Sequence, residues 1–285
     1  MSASLALSLS ALAALVPAAL IRWRRNDGRD ALFYGALALA AIGPIAWSSA
    51  QLSGAWRTGF AVSLWVTIAA TMVLFLGLAA TTRQGWRLTA LLMPYLFVLG
   101  ALATIWQRAP ERPMPETVPA GWLDAHIAFA VVTYGLLTLA AVAGAAVFLQ
   151  ERALKAKHPT SLTRLLPAVA DSEQLEIRLL YAAEAVLALG VISGIGMQYF
   201  SGANSLALDN KTLFSLAAFI VIAALLAARR ISGLRGRKVA RWALIAYLLL
   251  TLAYPGVKFV TDVLMSGSSE FSRCDGAYLS GCRCA

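Results

Sequence analysis

Long uncharged stretches separated by short basic loops make up almost all of this sequence. Eight runs are apolar enough to cross a bilayer, for which a helix needs about 20 residues. They cover residues 5–22, 31–52, 59–81, 89–106, 122–150, 175–199, 212–228 and 242–265. The pattern predicts an all-α fold, a multispanning membrane helix bundle with about eight transmembrane helices.

The composition agrees with this pattern. Hydrophobic residues make up 60% of the 285 residues and charged residues 13%, with a mean hydropathy of +0.72. Soluble domains are about 45–50% apolar and about 25% charged. We therefore expect lipid to surround the protein.

The formal charge of +10 need not indicate nucleic acid, because the basic residues are unevenly placed. Seventeen of the 24 Lys and Arg residues follow the first, third, fifth and seventh runs. The positive-inside rule assigns those loops to the cytoplasm. Both termini are then predicted to face outward, and no nucleic-acid partner is expected.

The C-terminal end differs from the rest of the chain. Residues 1–265 are predicted to form one transmembrane domain, and residues 266–285 a polar, disordered tail. All three cysteines, Cys274, Cys282 and Cys284, lie in this tail. A Cys-x-Cys end can bind soft metals, but an odd, crowded set favours an incidental origin.

The fifth run carries the main candidate for chemistry. His126, one of two histidines, follows Trp122 by one helical turn near the predicted outer end. It is either a boundary histidine that hydrogen-bonds a neighbour or a ligand for metal or haem iron. The other histidine, His158, belongs to a basic inner loop and is interpreted as solvated.

Three other features have competing interpretations. Glu184 within the sixth run is expected to face the bundle, protonate, or pair with Tyr181 or Tyr247. Glycines 190 and 194 in the same run have the spacing that lets a second helix approach closely. Lys258 and Asp262 form an i, i+4 pair, unless Lys258 binds an anion.

The order of these features resembles the cytochrome c assembly protein family, the haem-handling group that includes CcsA and CcmC. The resemblance rests on Trp122-Leu-Asp-Ala-His126, Tyr134, the basic loop after it, Asp209-Asn-Lys-Thr and Tyr254-Pro-Gly-Val-Lys. It is strongest over residues 122–260 and closest to the YpjD/HemX branch. It implies that His126 ligates haem iron on the outer side.

The resemblance has gaps. The family's tryptophan-rich outer segment reads GANSLALDNKT here, and no second outer histidine exists. Met197 is the alternative second axial ligand. The haem-binding residues expected are therefore His126 and the following set: Trp122, Met197, Asp209, Lys211 and Lys258.

These observations predict a multi-pass protein of the bacterial inner membrane that binds or handles haem b for cytochrome c assembly. Its expected partners are membrane lipid, haem, and apocytochrome c or other assembly proteins. No nucleophile–base set is present in the sequence, so an assembly factor is favoured over an enzyme. The alternatives are a haem-free, HemX-like accessory protein of tetrapyrrole metabolism and a small-solute or metal-ion transporter.

Overall fold

The computed structural model describes residues 3–24, 30–52, 57–107, 112–113, 119–200, 210–234, 236–252 and 256. Nine α-helices occur in this part of the chain. They are α1 Ala3–Arg24, α2 Ala31–Leu52, α3 Phe60–Thr81, α4 Thr89–Ile105, α5 Ala120–Ala156, α6 Ser161–Leu165, α7 Val169–Phe200, α8 Asn210–Ser232 and α9 Arg237–Thr251. A 3-10 helix, Gly85–Leu88, precedes α4.

The prediction of an all-α membrane bundle is confirmed. Six helical segments of the described chain are long and apolar enough to cross a membrane, and a shorter apolar helix covers Leu5–Ile21. Helix α9 corresponds to the eighth predicted span, 242–265. The rest of that span lies largely outside the described residues. About eight spans therefore fit the fold.

A short helix and a short ladder lie between the predicted spans. The loop after α5 contains the short helix α6, which Thr160 caps by accepting a hydrogen bond from the Thr163 N–H. In the connector before α5, β2 (Arg112–Pro113) pairs with β1 (Arg57–Thr58) in an antiparallel ladder. Proline is tolerated there because both strands of a two-stranded ladder are edge strands.

The helices form two groups that meet at α5. In the N-terminal group, α1 packs on α2 and α4, and α3 packs on α2 and α4. In the C-terminal group, α7 and α9 pack on α5, and α8 packs on α7 and α9. Helix α5 also contacts α3 and α4, so it packs against both groups of helices.

A tyrosine cluster lies where the two groups meet. The hydroxyl of Tyr95 on α4 hydrogen-bonds the hydroxyl of Tyr247 on α9. Tyr247 donates to the Tyr134 hydroxyl on α5 at 3.4 Å, and Tyr134 lies 3.2 Å from Thr251 Oγ1. These bonds join α4, α5 and α9 inside the bundle, where unpaired hydroxyls would be costly.

Candidate functional site

Small residues on α7 bring its backbone close to the face of α5 that carries the candidate histidine. A Cβ atom at Gly194 would lie 3.3 Å from His126 Cε1, and one at Gly196 would lie 2.5 Å from Trp122 Cζ2. Gly190 faces the next turn of α5. The predicted close helix approach is therefore found, and the glycines make room for the imidazole and the indole.

One serine of α7 holds both rings. The indole Nε1–H of Trp122 donates to the backbone carbonyl of Ser193 at 2.9 Å. His126 Nδ1 lies 2.8 Å from Ser193 Oγ, and Ser193 Oγ donates to the Gly190 carbonyl at 2.9 Å. Ser193 is only 5% exposed, so these bonds fix the two rings against α7.

The rings are oriented but not enclosed by the described part of the chain. Trp122 is 38% exposed, and His126 is half-buried. No residue in the first turns of α5, from 121 to 132, is fully buried, whereas Thr133, Tyr134 and Leu137 are. The site therefore lies where α5 and α7 extend beyond the packed interior.

The remaining predicted site residues are less well defined. Met197 is half-buried and follows Ser193 by one turn of α7. Asp209 and Lys258 lie outside the described residues, as does the cysteine tail. Lys211 is in the first turn of α8, and its side chain is not described.

The expected partners of Glu184 are not found. No hydrogen bond from the described residues reaches either carboxylate oxygen of Glu184, although both are buried. Tyr247 bonds to other hydroxyl groups instead, and Tyr181 is 44% exposed. Of the three alternatives for Glu184, pairing with either tyrosine is therefore the wrong one.

Sequence reasoning missed a second buried carboxylate, Glu176 on α7. It is fully buried, and its Oε1 lies 2.6 Å from where a Cβ at Gly144 would be. Neither of its oxygens accepts a hydrogen bond from the described residues. The sequence offers no clear signal, because Glu176 lies at the polar start of the sixth span, between Glu173 and Arg178.

The donor set limits which metal-containing group fits. No group of three His, Cys, Asp or Glu side chains within the described ranges is arranged to hold a metal ion. A haem iron differs because the porphyrin supplies four ligands and the protein only one or two. A single imidazole that is oriented by a hydrogen bond and only half-buried fits that requirement.

These features define a class: a multispanning membrane helix bundle with one oriented imidazole at one end. A family model described as "Cytochrome C assembly protein" matches residues 32–265. The chain belongs to the cytochrome c assembly protein family. This membership supports a general haem-handling role in cytochrome assembly.

The chain is also similar to two other proteins, to different extents. The chain is 53% identical over 270 residues to the "Uncharacterized 28.8 kDa protein in nifR3-like 5'region" of Azospirillum brasilense, covering 93% of this chain and all of the relative. It is 24% identical over 160 residues to "Protein HemX" of Brevibacillus brevis, covering 56% of this chain and 59% of that protein. No solved structure matches the chain.

Proposed function

We propose that this protein binds haem b through His126 at the outer face of the bacterial inner membrane and handles it during cytochrome c assembly. The observation that carries the proposal is the fixed imidazole of His126, held against α7 by Ser193 at 2.8 Å. Membership of the assembly family supports the choice of haem. When bound, haem is the group destined for apocytochrome c, and other assembly proteins are the expected partners.

The described residues suggest how haem is held. His126 would supply a nitrogen ligand to the iron, and the exposed Trp122 indole would offer an apolar surface to the porphyrin. Met197 is the proposed second axial ligand because a thioether can complete a His/Met pair. Changing Met197 to Ala should keep haem bound but shift its absorption spectrum towards a five-coordinate iron, whereas an unchanged spectrum would exclude this ligand.

Lys258 is proposed to meet a haem propionate, and the register of α5 and α9 supports this role. The Arg237 guanidinium lies 4.5 Å from the centre of the Phe148 ring, and Tyr134 contacts Thr251 at 3.2 Å. Helix α9 therefore runs antiparallel to α5, and its C-terminal end lies towards the end of α5 that carries His126.

Asp209 and Lys211 are proposed to form the rim of the same site. They lie at the junction between α7, which ends at Phe200, and α8, which begins at Asn210. The C-terminal turns of α7 contact Trp122 and His126, so α7 ends at the same end of the bundle as His126. Changing Lys211 to Gln should weaken haem binding less than the loss of His126, and equal losses would contradict a rim position.

The decisive experiment is the visible spectrum of detergent-purified protein before and after haem addition. Wild type should show a Soret band, and His126→Ala should remove it while membrane abundance stays normal. Loss of an iron ligand should weaken binding by more than the roughly 10–100-fold that outer-shell partners cost. His158→Ala is the matched control, since its exposed loop position should leave the spectrum unchanged.

Two outcomes of the same measurement would contradict the proposal. The haem-ligand proposal is wrong if wild type shows no Soret band after haem addition. It is equally wrong if His126→Ala binds haem as tightly as wild type does.

The outward orientation of His126 needs a separate test. In a background with the three native cysteines replaced by serine, single cysteines at positions 117 and 158 lie in predicted outer and inner loops. An impermeant thiol reagent added to intact cells should label position 117 and leave 158 unlabelled until the cells are broken. Labelling at 158 alone would reverse the orientation.

A haem-free accessory role in tetrapyrrole metabolism is the second candidate. It is supported by the similarity to Protein HemX, which covers just over half of this chain. In that role the protein would act through contacts with other proteins. Absence of haem binding together with normal folding would favour it.

A further inference from the structure

The hydrogen-bond pattern around Ser193 has a consequence for the protonation of His126. We propose that Ser193 is a positioning residue that selects the Nδ1–H tautomer of His126 and thereby leaves the Nε2 lone pair open. This inference deepens the proposed haem site, but it concerns only the protein's own residues.

The argument starts from the single hydrogen of a serine hydroxyl. Ser193 Oγ lies 2.9 Å from the Gly190 carbonyl and 2.8 Å from His126 Nδ1. The carbonyl oxygen can only accept, so the serine hydrogen satisfies it. The remaining short contact becomes a hydrogen bond only if Nδ1 carries a proton and donates to Oγ.

The opposite arrangement is worse by one hydrogen bond. If Ser193 donated to an unprotonated Nδ1, two oxygen atoms would face each other at 2.9 Å with no hydrogen between them. Ser193 is 5% exposed, so water has little access to repair that contact. The neutral imidazole therefore carries its proton on Nδ1.

This tautomer matters because iron binds the nitrogen that has a free lone pair. A hydrogen bond to one ring nitrogen determines which nitrogen can bind a metal, and it also fixes the plane of the ring. The Ser193 carbonyl simultaneously holds Trp122 at 2.9 Å. Ser193 therefore sets the protonation and orientation of the imidazole without itself touching the iron.

Nitrogen NMR of haem-free, detergent-purified protein labelled with ¹⁵N-histidine tests the tautomer directly, at a pH where imidazole is neutral. Only two histidines contribute signals, and a His158→Gln sample assigns those of His126. In wild type, Nδ1 should resonate in the protonated range and Nε2 in the unprotonated range. In Ser193→Ala the two His126 signals should move towards each other or exchange ranges.

A matched variant separates this role from general packing. Trp122→Phe removes the indole bond to the same serine but keeps the hydroxyl, so the wild-type ¹⁵N pattern should persist. An Nε2–H signal in wild type, or an unchanged pattern in Ser193→Ala, would overturn the inference. Because no haem is present, an Nδ1–H signal in a protein that never binds haem would uphold the tautomer and reject only the proposed function.

Discussion

The two helix groups differ in the side chains that they bury. The three largest fully buried side chains of the described chain, Trp47, Trp65 and Phe75, all belong to the N-terminal group. They lie on α2 and α3, where the rings of Trp47 and Trp65 are 5.5 Å apart. The N-terminal group is therefore held by large apolar contacts.

In the C-terminal group, the interface between α5 and α7 also contains small and polar residues. Gly144, Gly194 and Gly196 on α5 and α7 each lie against a polar or aromatic side chain of the facing helix. Glu176 and Ser193 on α7 are buried in the same interface. Glycines allow backbones to approach closely in membranes, and here the approach brings polar groups of two helices within bonding distance.

This difference suggests a division of roles. Large buried side chains specify one rigid arrangement, because each fills its own volume. Close contact between helix backbones fills little volume, but it places the polar groups of the two helices accurately. The candidate chemistry accordingly lies in the C-terminal group, on the scaffold that α5 shares with the N-terminal group.

The largest effect is expected for a tryptophan of the N-terminal group. Trp65 is fully buried, so Trp65→Ala should destabilise the protein by about 3–5 kcal/mol. Trp122→Ala should cost about 1–2 kcal/mol, because the indole is 38% exposed and loses little more than one hydrogen bond. Thermal unfolding in detergent measures both, and equal losses would remove the contrast between the groups.

The glycine-lined interface gives the next prediction. A Cβ at Gly196 would lie 2.5 Å from the Trp122 ring, so Gly196→Ala should displace the indole and cost about 1–3 kcal/mol. Gly35→Ala is the matched control because nothing lies within 4 Å of its added Cβ. Helix propensity should make that variant more stable by about 0.5–1 kcal/mol. Similar melting temperatures for the two variants would show that the interface tolerates the methyl group.

The sequence predicted the spans well because bilayer thickness sets how long an apolar run must be. The second run, 31–52, coincides with α2. Helices α5 and α7 extend further at the basic end than their apolar runs. A helix that leaves the bilayer can continue with polar residues, and hydropathy does not record that continuation.

The sequence predicted only the part of the site that lies on one helix. Spacing along one helix placed Trp122 and His126 on the same face, and both do bond to one residue. That residue, Ser193, is 67 positions away from His126. Which serine of α7 meets which turn of α5 depends on tertiary register, and no local pattern encodes it. Glu176 was missed because charged neighbours such as Glu173 and Arg178 give its segment the look of a solvated helix end.

A smaller effect is expected at Glu176. An unpartnered buried polar group costs roughly 1–3 kcal/mol and a charged one more. Burial disfavours the charged form of this carboxyl group, and a glutamine of the same shape would be equally unpartnered, so Glu176→Gln should change the free energy of unfolding by less than about 1 kcal/mol. Thermal unfolding at neutral pH measures the change. A clear loss of stability would show that the carboxylate has a charged partner, with Arg229 as the first candidate to replace in a double-mutant cycle.

The smallest effect is expected at Glu184, the other carboxylate without a described hydrogen-bond partner. An amide keeps the shape and much of the hydrogen-bonding capacity of a carboxyl group. If the group is structural, Glu184→Gln should therefore fold and function almost normally, with membrane abundance and cytochrome c yield as the two measurements. Glu184→Ala separates shape from charge, because only that variant removes the volume as well. Normal abundance with lost cytochrome c yield in Glu184→Gln would instead indicate proton transfer, since an amide cannot exchange a proton as a carboxyl group does.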